Sequence, residues 1–337
     1  MRNPEALREI ADHLRAAQRI AVCAHLNPDG DCIGSALAVR LILTALGKEV
    51  EVFDRDKVPD NLSMLAGADA VRTLDQATGR YDTLLCVDCA ELSRVVNFGI
   101  PEQKAAFDGL RERCGELLQI DHHPSNPGYG DCHVIDGNAA ATCVMIYDLM
   151  GLLGVKATRE IAECLYTGIS TDTGNFLQDN TNEDALAVIA ALQETGFDQA
   201  ALGRKLFAER RPEQVALISR ALNTLRYDET RSVTCMTLTL GDFEETGALP
   251  EDADTIVNFG RDIRGVHMAL LARETVEGVK MSLRSVSPYE IVEVARKYGG
   301  GGHEMAAGCT VKGIPLEAAA DAVFADLCIA LQEQDKA

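Results

Sequence analysis

Short apolar runs alternate with stretches of helical periodicity through the first half of this chain, and that rhythm restricts the fold more than any other feature. Residues 19–25 (RIAVCAH), 48–53, 81–87 (YDTLLCV) and 116–120 (ELLQI) read as strands. Residues 33–46, 139–150 and 157–170 read as helices, the first stopped by Gly47, and Thr181 or Asn182 caps a further helix to about Glu194. Successive strands joined through helices demand a parallel sheet, because only a crossover of a dozen residues or more can connect parallel neighbours. The expected fold class is therefore α/β, an N-terminal doubly wound parallel-sheet domain with helices on both faces. Beyond Leu225 the texture changes. Residues 232–240, 266–273 and 279–285 alternate like strands of a smaller mixed sheet, with helices at 288–298 and 315–332. The expected division is 1–195 for the first domain, 196–226 for a helical linker and 227–337 for the second domain.

Composition narrows the class. A chain of 337 residues, 47% hydrophobic and 25% charged, has the makeup of a globular enzyme rather than a disordered or fibrous protein. Its apolar runs are broken by charge well short of a membrane span, and residues 1–15 lack the apolar core of a secretion signal. Eleven scattered cysteines then point to a reducing, cytoplasmic setting. The pair Cys86 and Cys89 forms a lone CxxC inside a strand-like run, open to a buried structural reading or to redox or zinc chemistry. A net charge of −20 opposes binding to long duplex nucleic acid. Residues 201–300 carry 14 basic and 15 acidic side chains, a near-neutral stretch that fits an anionic ligand or plain chance.

The chemistry gathers just past the predicted strands and helices. His25, Asp29 and Asp31 stand in HLNPDGD; Asp88 stands in CVDCAE; Asp121, His122 and His123 are consecutive; Asp172 stands in TGISTDTGNF. Loops leaving the carboxyl ends of parallel strands converge on one crevice, so these residues can share one site. His25, Asp29, Asp31, Asp88, His122 and Asp172 together offer two imidazoles and four carboxylates. Four carboxylates at close quarters do not all stay ionised without cations between them. Two divalent ions would neutralise them. Nitrogen and oxygen donors without thiolate suit manganese and admit cobalt, zinc or, less well, magnesium. In the second half, residues 299–308 read GGGGHEMAAG. Gly300, Gly301 and Gly302 can turn backbone amides toward an anion, with His303 as a further donor, or form a flexible turn. Arg284, with Ser282 and Ser285 beside it at the end of a predicted strand, adds a guanidinium and two hydroxyls for phosphate.

Together HxxPDxDxxGS at 25–35, VDxxE at 87–91, DHH at 121–123, GIxxDTGxF at 168–176 and GGGGHxxAAG at 299–308 resemble the DHH/DHHA1 phosphoesterase superfamily, over nearly the whole chain. In length and order the chain is similar to the stand-alone nanoRNase and pAp phosphatase group. The resemblance implies two lobes around a cleft, a dimetal DHH domain and a DHHA1 domain that binds substrate. It implies that His25, Asp29 and Asp88 hold one manganese ion, and that Asp31, Asp88, His122 and Asp172 hold the other. Asp121 would orient a ligand histidine, and His123 would face the scissile phosphate. Arg284, Ser285 and Gly300–His303 would hold the nucleotide. The activity implied is attack by a metal-activated hydroxide on short single-stranded RNA, with 3′-phosphoadenosine 5′-phosphate (pAp) as a second substrate and a homodimer as the family's assembly. Linear or cyclic dinucleotides such as pApA and cyclic di-AMP are the alternative substrates. A non-catalytic scaffold would have lost ligands, and none is lost.

Overall fold

The structure, a computed structural model, describes residues 4–336. The chain divides into two compact units, Met1–Glu209 and Arg210–Ala337. The first contains α1 (Pro4–Ala16), β1 (Arg19–Cys23), α2 (Gly30–Ala45), β2 (Glu49–Phe53), β3 (Tyr81–Val87), α3 (Pro101–Arg111), β4 (Cys114–Asp121), β5 (Cys132–Ile135), α4 (Thr142–Leu153), α5 (Arg159–Asp172), α6 (Glu183–Leu192) and α7 (Gln199–Gly203). Its five strands are all parallel, in the order β2-β1-β3-β4-β5. The chain steps from β1 to β2, then returns across β1 to β3, so the switch point lies between β1 and β3.

Strand alternation sorts side chains onto two covered faces. Ile20, Val22, Leu85, Val87, Leu118 and Ile120 join one core with residues of α1, α2, α4, α5 and α6. Ala21, Cys23, Leu84, Cys86 and Leu117 join Phe53, Val95, Phe107 and Leu110 in the other. Both cysteines of the CxxC are buried, and all eleven thiols are free. Burial pushes the Cys89 thiol up to about 11, so it stays protonated.

Glycine decides one crossing. A Cβ on Gly34 of α2 would meet the Cys164 carbonyl oxygen of α5 at 2.5 Å, and one on Gly168 of α5 would meet Asp31 Oδ1 at 2.5 Å. Only glycine at both places lets α2 and α5 approach this closely, which brings Asp31 and Asp172 to one end of the helix pair.

The second unit contains α8 (Pro212–Asn223), β6 (Arg226–Tyr227), β7 (Val233–Leu238), α9 (Leu240–Thr246), α10 (Ile256–Arg261), β8 (Met268–Thr275), β9 (Gly278–Ser285), α11 (Val292–Lys297), β10 (Gly301–His303), β11 (Ala306–Val311) and α12 (Leu316–Gln334). Its mixed sheet runs β10-β11-β9-β8-β7-β6, with β7 and β8 the parallel pair. Helices α11 and α12 cover one face through Ile291, Ala295, Val323 and Leu327, while α8 and α10 cover part of the other through Leu217, Ile256 and Val257.

The segment expected as a linker is shared out. Helix α7 and the π turn Arg204–Ala208 belong to the first unit, and α8 buries Leu217, Ile218 and Ala221 in the second. The helix expected at 288–298 is shorter, only Val292–Lys297. The glycine run is a turn only in its first half: Gly299 and Gly300 leave α11, and Gly301–His303 form an edge strand paired antiparallel with Ala306–Ala307–Gly308.

Candidate active site

Each acid and histidine of the first unit is placed by a strand or helix end. His25 follows β1, Asp88 follows β3 and Asp121 ends β4, while Asp29 and Asp31 start α2 and Asp172 ends α5. All lie at the carboxyl side of the sheet, around the switch point.

Asp29 is a helix cap and more. Its Oδ1 accepts the N–H of Asp31 at 3.1 Å and of Cys32 at 3.0 Å. Its Oδ2 is left facing His25 Nε2 at 3.8 Å. Asp31, 1% exposed, is clasped by the start of α4: Thr142 N donates to Oδ2 at 2.6 Å and Cys143 N to Oδ1 at 2.9 Å. A helix N-terminus stabilises a carboxylate through these otherwise unpaired amides. Asp88 stands at φ 53°, left-handed backbone that a non-glycine residue adopts at a cost of about 1 kcal/mol or more. That turn sends its carboxylate between the two histidines. Oδ2 lies 3.5 Å from His25 Nε2 and Oδ1 lies 3.6 Å from His122 Nε2. His122 Nε2 also lies 3.5 Å from Asp172 Oδ2 and 4.0 Å from Asp31 Oδ2.

The histidine tautomers decide what this arrangement can hold. His25 Nδ1 bonds the Leu26 carbonyl at 2.9 Å, and His122 Nδ1 bonds the Ala139 carbonyl at 3.1 Å. A carbonyl only accepts, so each Nδ1 carries the proton and each Nε2 turns toward carboxylates. A lone pair facing carboxylates is repulsive unless a proton or cation stands between them. The separations of 3.5–4.0 Å exceed a good N–H···O bond. They match donors that each sit about 2.1 Å from a shared ion. The six residues thus fit divalent cations, with Asp88 common to both histidine groups. Within the same space, one donor atom each from Asp31, His122 and Asp172, and from Asp88, His122 and His123, lie within 4.8 Å of one another.

Without a cation the charges redistribute as electrostatics requires. Burial, then the nearby Asp88 and Asp172 charges, raise the Asp31 carboxyl well above its usual range. Burial, with Asp88 and Asp29 behind it, pushes Asp172 up to about 6 against the pull of His122. Burial works to lower His122, but Asp88, Asp31 and Asp172 outweigh it and lift the imidazole to about 9. Burial also opposes ionisation of Asp88, yet His25, His122 and His123 hold it well below the carboxylate range. Protons occupy the places where cations would neutralise the acids.

Asp121 does not orient His122. Its Oδ1 accepts from His123 Nδ1 at 2.8 Å, and its Oδ2 accepts from Asn126 Nδ2. Successive residues point apart, so Asp121 reaches the histidine two positions on, and His122 takes a backbone carbonyl instead. His123 packs edge-on against His122, centroids 4.7 Å apart, with Nδ1 3.8 Å from Asp88 Oδ1.

Sequence reasoning missed the supports. Thr142 Oγ1 donates to Asp88 Oδ1 at 2.9 Å, and Asn180 Nδ2 to the Asp172 carbonyl at 3.0 Å. Cys32 lies within 4.8 Å of His25 and Asp88 donors, but burial lifts its thiol to about 12 and it stays neutral. The one available signal was threonine at the start of the fourth helix, and the helix expected from 139 hid it.

In the second unit the register places His303, Ala306 and Arg284 in one row across β10, β11 and β9. Arg284 is half-buried, with Nη1 donating to the Leu283 carbonyl at 2.8 Å. Ser285 lies on the opposite face of β9, where its hydroxyl donates to the Tyr289 carbonyl at 2.5 Å. The hydroxyl that shares a face with Arg284 is Ser282, directly opposite Gly308. Cβ atoms on Gly300 and Gly302 would meet the Gly308 and Ala306 carbonyl oxygens at 2.1 and 2.4 Å, so the glycines serve close strand approach.

Residues 19–169 match the DHH family, N-terminal domain, and residues 232–328 match the DHHA1 domain. The bifunctional oligoribonuclease and PAP phosphatase NrnA of Thermus thermophilus is 37% identical over 95% of this chain and 93% of its own. The Bacillus subtilis protein of the same name is 29% identical over 90% and 91%. A crystal structure of an exopolyphosphatase-related protein from Bacteroides fragilis superposes with a TM-score of 0.88 over 98% of both chains at 24% identity, a likeness of fold. Among the described residues, no helix is long and apolar enough to cross a membrane.

Proposed function

The chain belongs to the DHH phosphoesterase family, with a DHHA1 domain in its second unit, and from that premise we propose that it hydrolyses short oligoribonucleotides to mononucleotides and removes a phosphate from pAp. The observation that carries this reading is the pair of Nε2 atoms turned to a shared Asp88, with Asp29 beside one and Asp31 and Asp172 beside the other. His25, Asp29, Asp31, Asp88, His122 and Asp172 would hold two divalent ions, manganese first among them. When bound, such ions supply Lewis-acid charge for a phosphoryl group and make water a nucleophile near neutral pH.

The rest falls to the chain's own residues. Leu26 and Ala139 carbonyls fix both ligand histidines in the Nδ1–H tautomer. The α4 amides and Thr142 hold Asp31 and Asp88 in place with no side-chain freedom to lose. Asn126 and Asp121 orient His123, which is set to donate a proton or positive charge to the phosphate undergoing cleavage. In the second unit, the face bearing Arg284, Ser282 and β10 is the proposed substrate-holding surface, Arg284 as a fork for phosphate. Ser285, committed to Tyr289, supports the strand instead. A net charge of −20 and a small cationic site favour short substrates over long ones. The eleven free thiols support a cytoplasmic setting.

The experiment is a substrate panel. The chelated chain, reloaded with manganese, is given pAp, pApA, a 5-mer, a 24-mer, cyclic di-AMP and pyrophosphate. Turnover of the 5-mer and pAp well above the 24-mer is expected. Preference for pApA or cyclic di-AMP would support the dinucleotide alternative, and preference for the 24-mer or pyrophosphate would end both readings.

A further inference from the structure

A second constellation of metal-binding donors lies on the outer edge of the first unit, toward the amino ends of β4 and β5 and on α1, whereas the acids of the switch point stand at the carboxyl ends of the strands. Glu9 and His13 are four apart on α1, so they share one helix face. Cys132 opens β5, the edge strand of the sheet, with Leu118 of β4 as its register partner. Its half-buried side chain packs against the core that α1 also covers. One donor atom from each of Glu9, His13 and Cys132 lies within 4.8 Å of the others. Glu116 of β4 takes His13 Nδ1 at 2.6 Å. With that nitrogen committed, Nε2 is the one an ion can use, the carboxylate–histidine arrangement that fixes a ligand tautomer at metal sites. A shallow surface depression lined by Glu5, Arg8, Glu9, Asp12, His13 and Ala16 gives a path from solvent and room for a water.

We propose that Glu9, His13 and Cys132 bind a borderline-soft divalent cation, zinc in the first instance, with Glu116 as the group that orients His13. One thiolate, one imidazole and one carboxylate are donors that zinc accepts and that magnesium, calcium and manganese do not favour. The fourth position goes to water. Burial, then the Glu9 and Glu116 charges, raise the Cys132 thiol above its ordinary range. A dication among these groups reverses that effect, and the thiol loses its proton to solvent as the sulfur–metal bond forms. The ion ties α1 to an edge strand, which both fastens the helix and keeps the edge from pairing with another chain. This site is independent of the hydrolytic reading.

The test uses the full chain, stripped with chelator and dialysed against zinc or cobalt(II). The wild type is expected to retain one zinc per chain more than Cys132→Ser or His13→Ala. Cobalt is expected to give a thiolate-to-cobalt charge-transfer band that persists in Cys32→Ser and vanishes in Cys132→Ser. Zinc is expected to raise the melting temperature of the wild type by several degrees more than that of Glu9→Gln. Equal zinc content in all the chains, or a band that follows Cys32 instead of Cys132, would overturn the proposal.

Discussion

Asp54 gives the most quantitative test of the electrostatics. It follows β2, is 1% exposed, and accepts the Asp56 N–H through Oδ1 at 2.7 Å. Its Oδ2 is buried with no hydrogen-bond partner among the described residues. Burial pushes the carboxyl up to about 7 from an ordinary 3.8. Three units at 1.36 kcal/mol each amount to about 4 kcal/mol, and full burial leaves little solvent screening to discount it. The folded chain therefore favours the protonated acid. Its stabilising contribution is complete below pH 4 and is lost as pH rises through 7. The substitution Asp54→Asn keeps an acceptor for Asp56 and leaves a side chain that never ionises. The stability difference between this variant and wild type is expected to widen by about 1.4 kcal/mol per pH unit from pH 4 to 7, then level off. Urea unfolding in chelator reads it, followed by circular dichroism because the chain has no tryptophan. Two curves that run parallel from pH 4.5 to 8 within about 0.5 kcal/mol would show that the buried carboxyl does not titrate as its surroundings require.

Other outcomes follow from the same geometry. Asp88→Asn, which blunts the carboxylate shared by both histidine groups, should lower turnover of a 5-mer by more than about 10³-fold with the fold intact by circular dichroism. Thr142→Val keeps the backbone amide on Asp31 but removes the hydroxyl on Asp88. It should weaken manganese affinity by about 10–100-fold in equilibrium dialysis, and excess metal should restore the rate. Asn126→Ala should lower kcat by loosening Asp121 and His123 while KM for pAp changes little, a split that a substrate-binding role would not give. Arg284→Ala should raise KM for the 5-mer about tenfold or more with kcat nearly kept; unchanged KM on every substrate would remove Arg284 from the binding surface.

The sequence made some of this plain and hid the rest for physical reasons. Strands β1, β3 and β4 were legible because strands covered on both faces write themselves as apolar runs, and edge strand β2 was legible by the alternation of EVEVF. Edge strand β5, four residues long, leaves no such signal. Helix α3 buries little beyond Phe107 and Leu110, so its polar sequence carries too few apolar positions to mark it. The acids and histidines were visible as residue types just past strand ends. Their supports were not, because the groups that hold Asp31 are backbone amides, which every residue carries. Ser285 looked like a partner for Arg284, yet adjacent strand residues point to opposite faces, and the fold sent its hydroxyl to Tyr289. The glycine run invited a curled anion loop; the absence of side chains serves instead to let an edge strand lie close to its neighbour.

The clasp on Asp31 has a temporal side. Its two amides belong to residues 111 and 112 positions downstream, and Asp172 is later still. At typical synthesis speeds of about 5–20 residues per second, the ribosome needs on the order of ten seconds to travel from the first of these acids to the last. A nascent or truncated polypeptide that ends before Thr142 carries the HLNPDGD signature and yet has nothing to close around it. Half-made copies therefore lack the closed cluster of acids and histidines, which forms only when the first unit is complete.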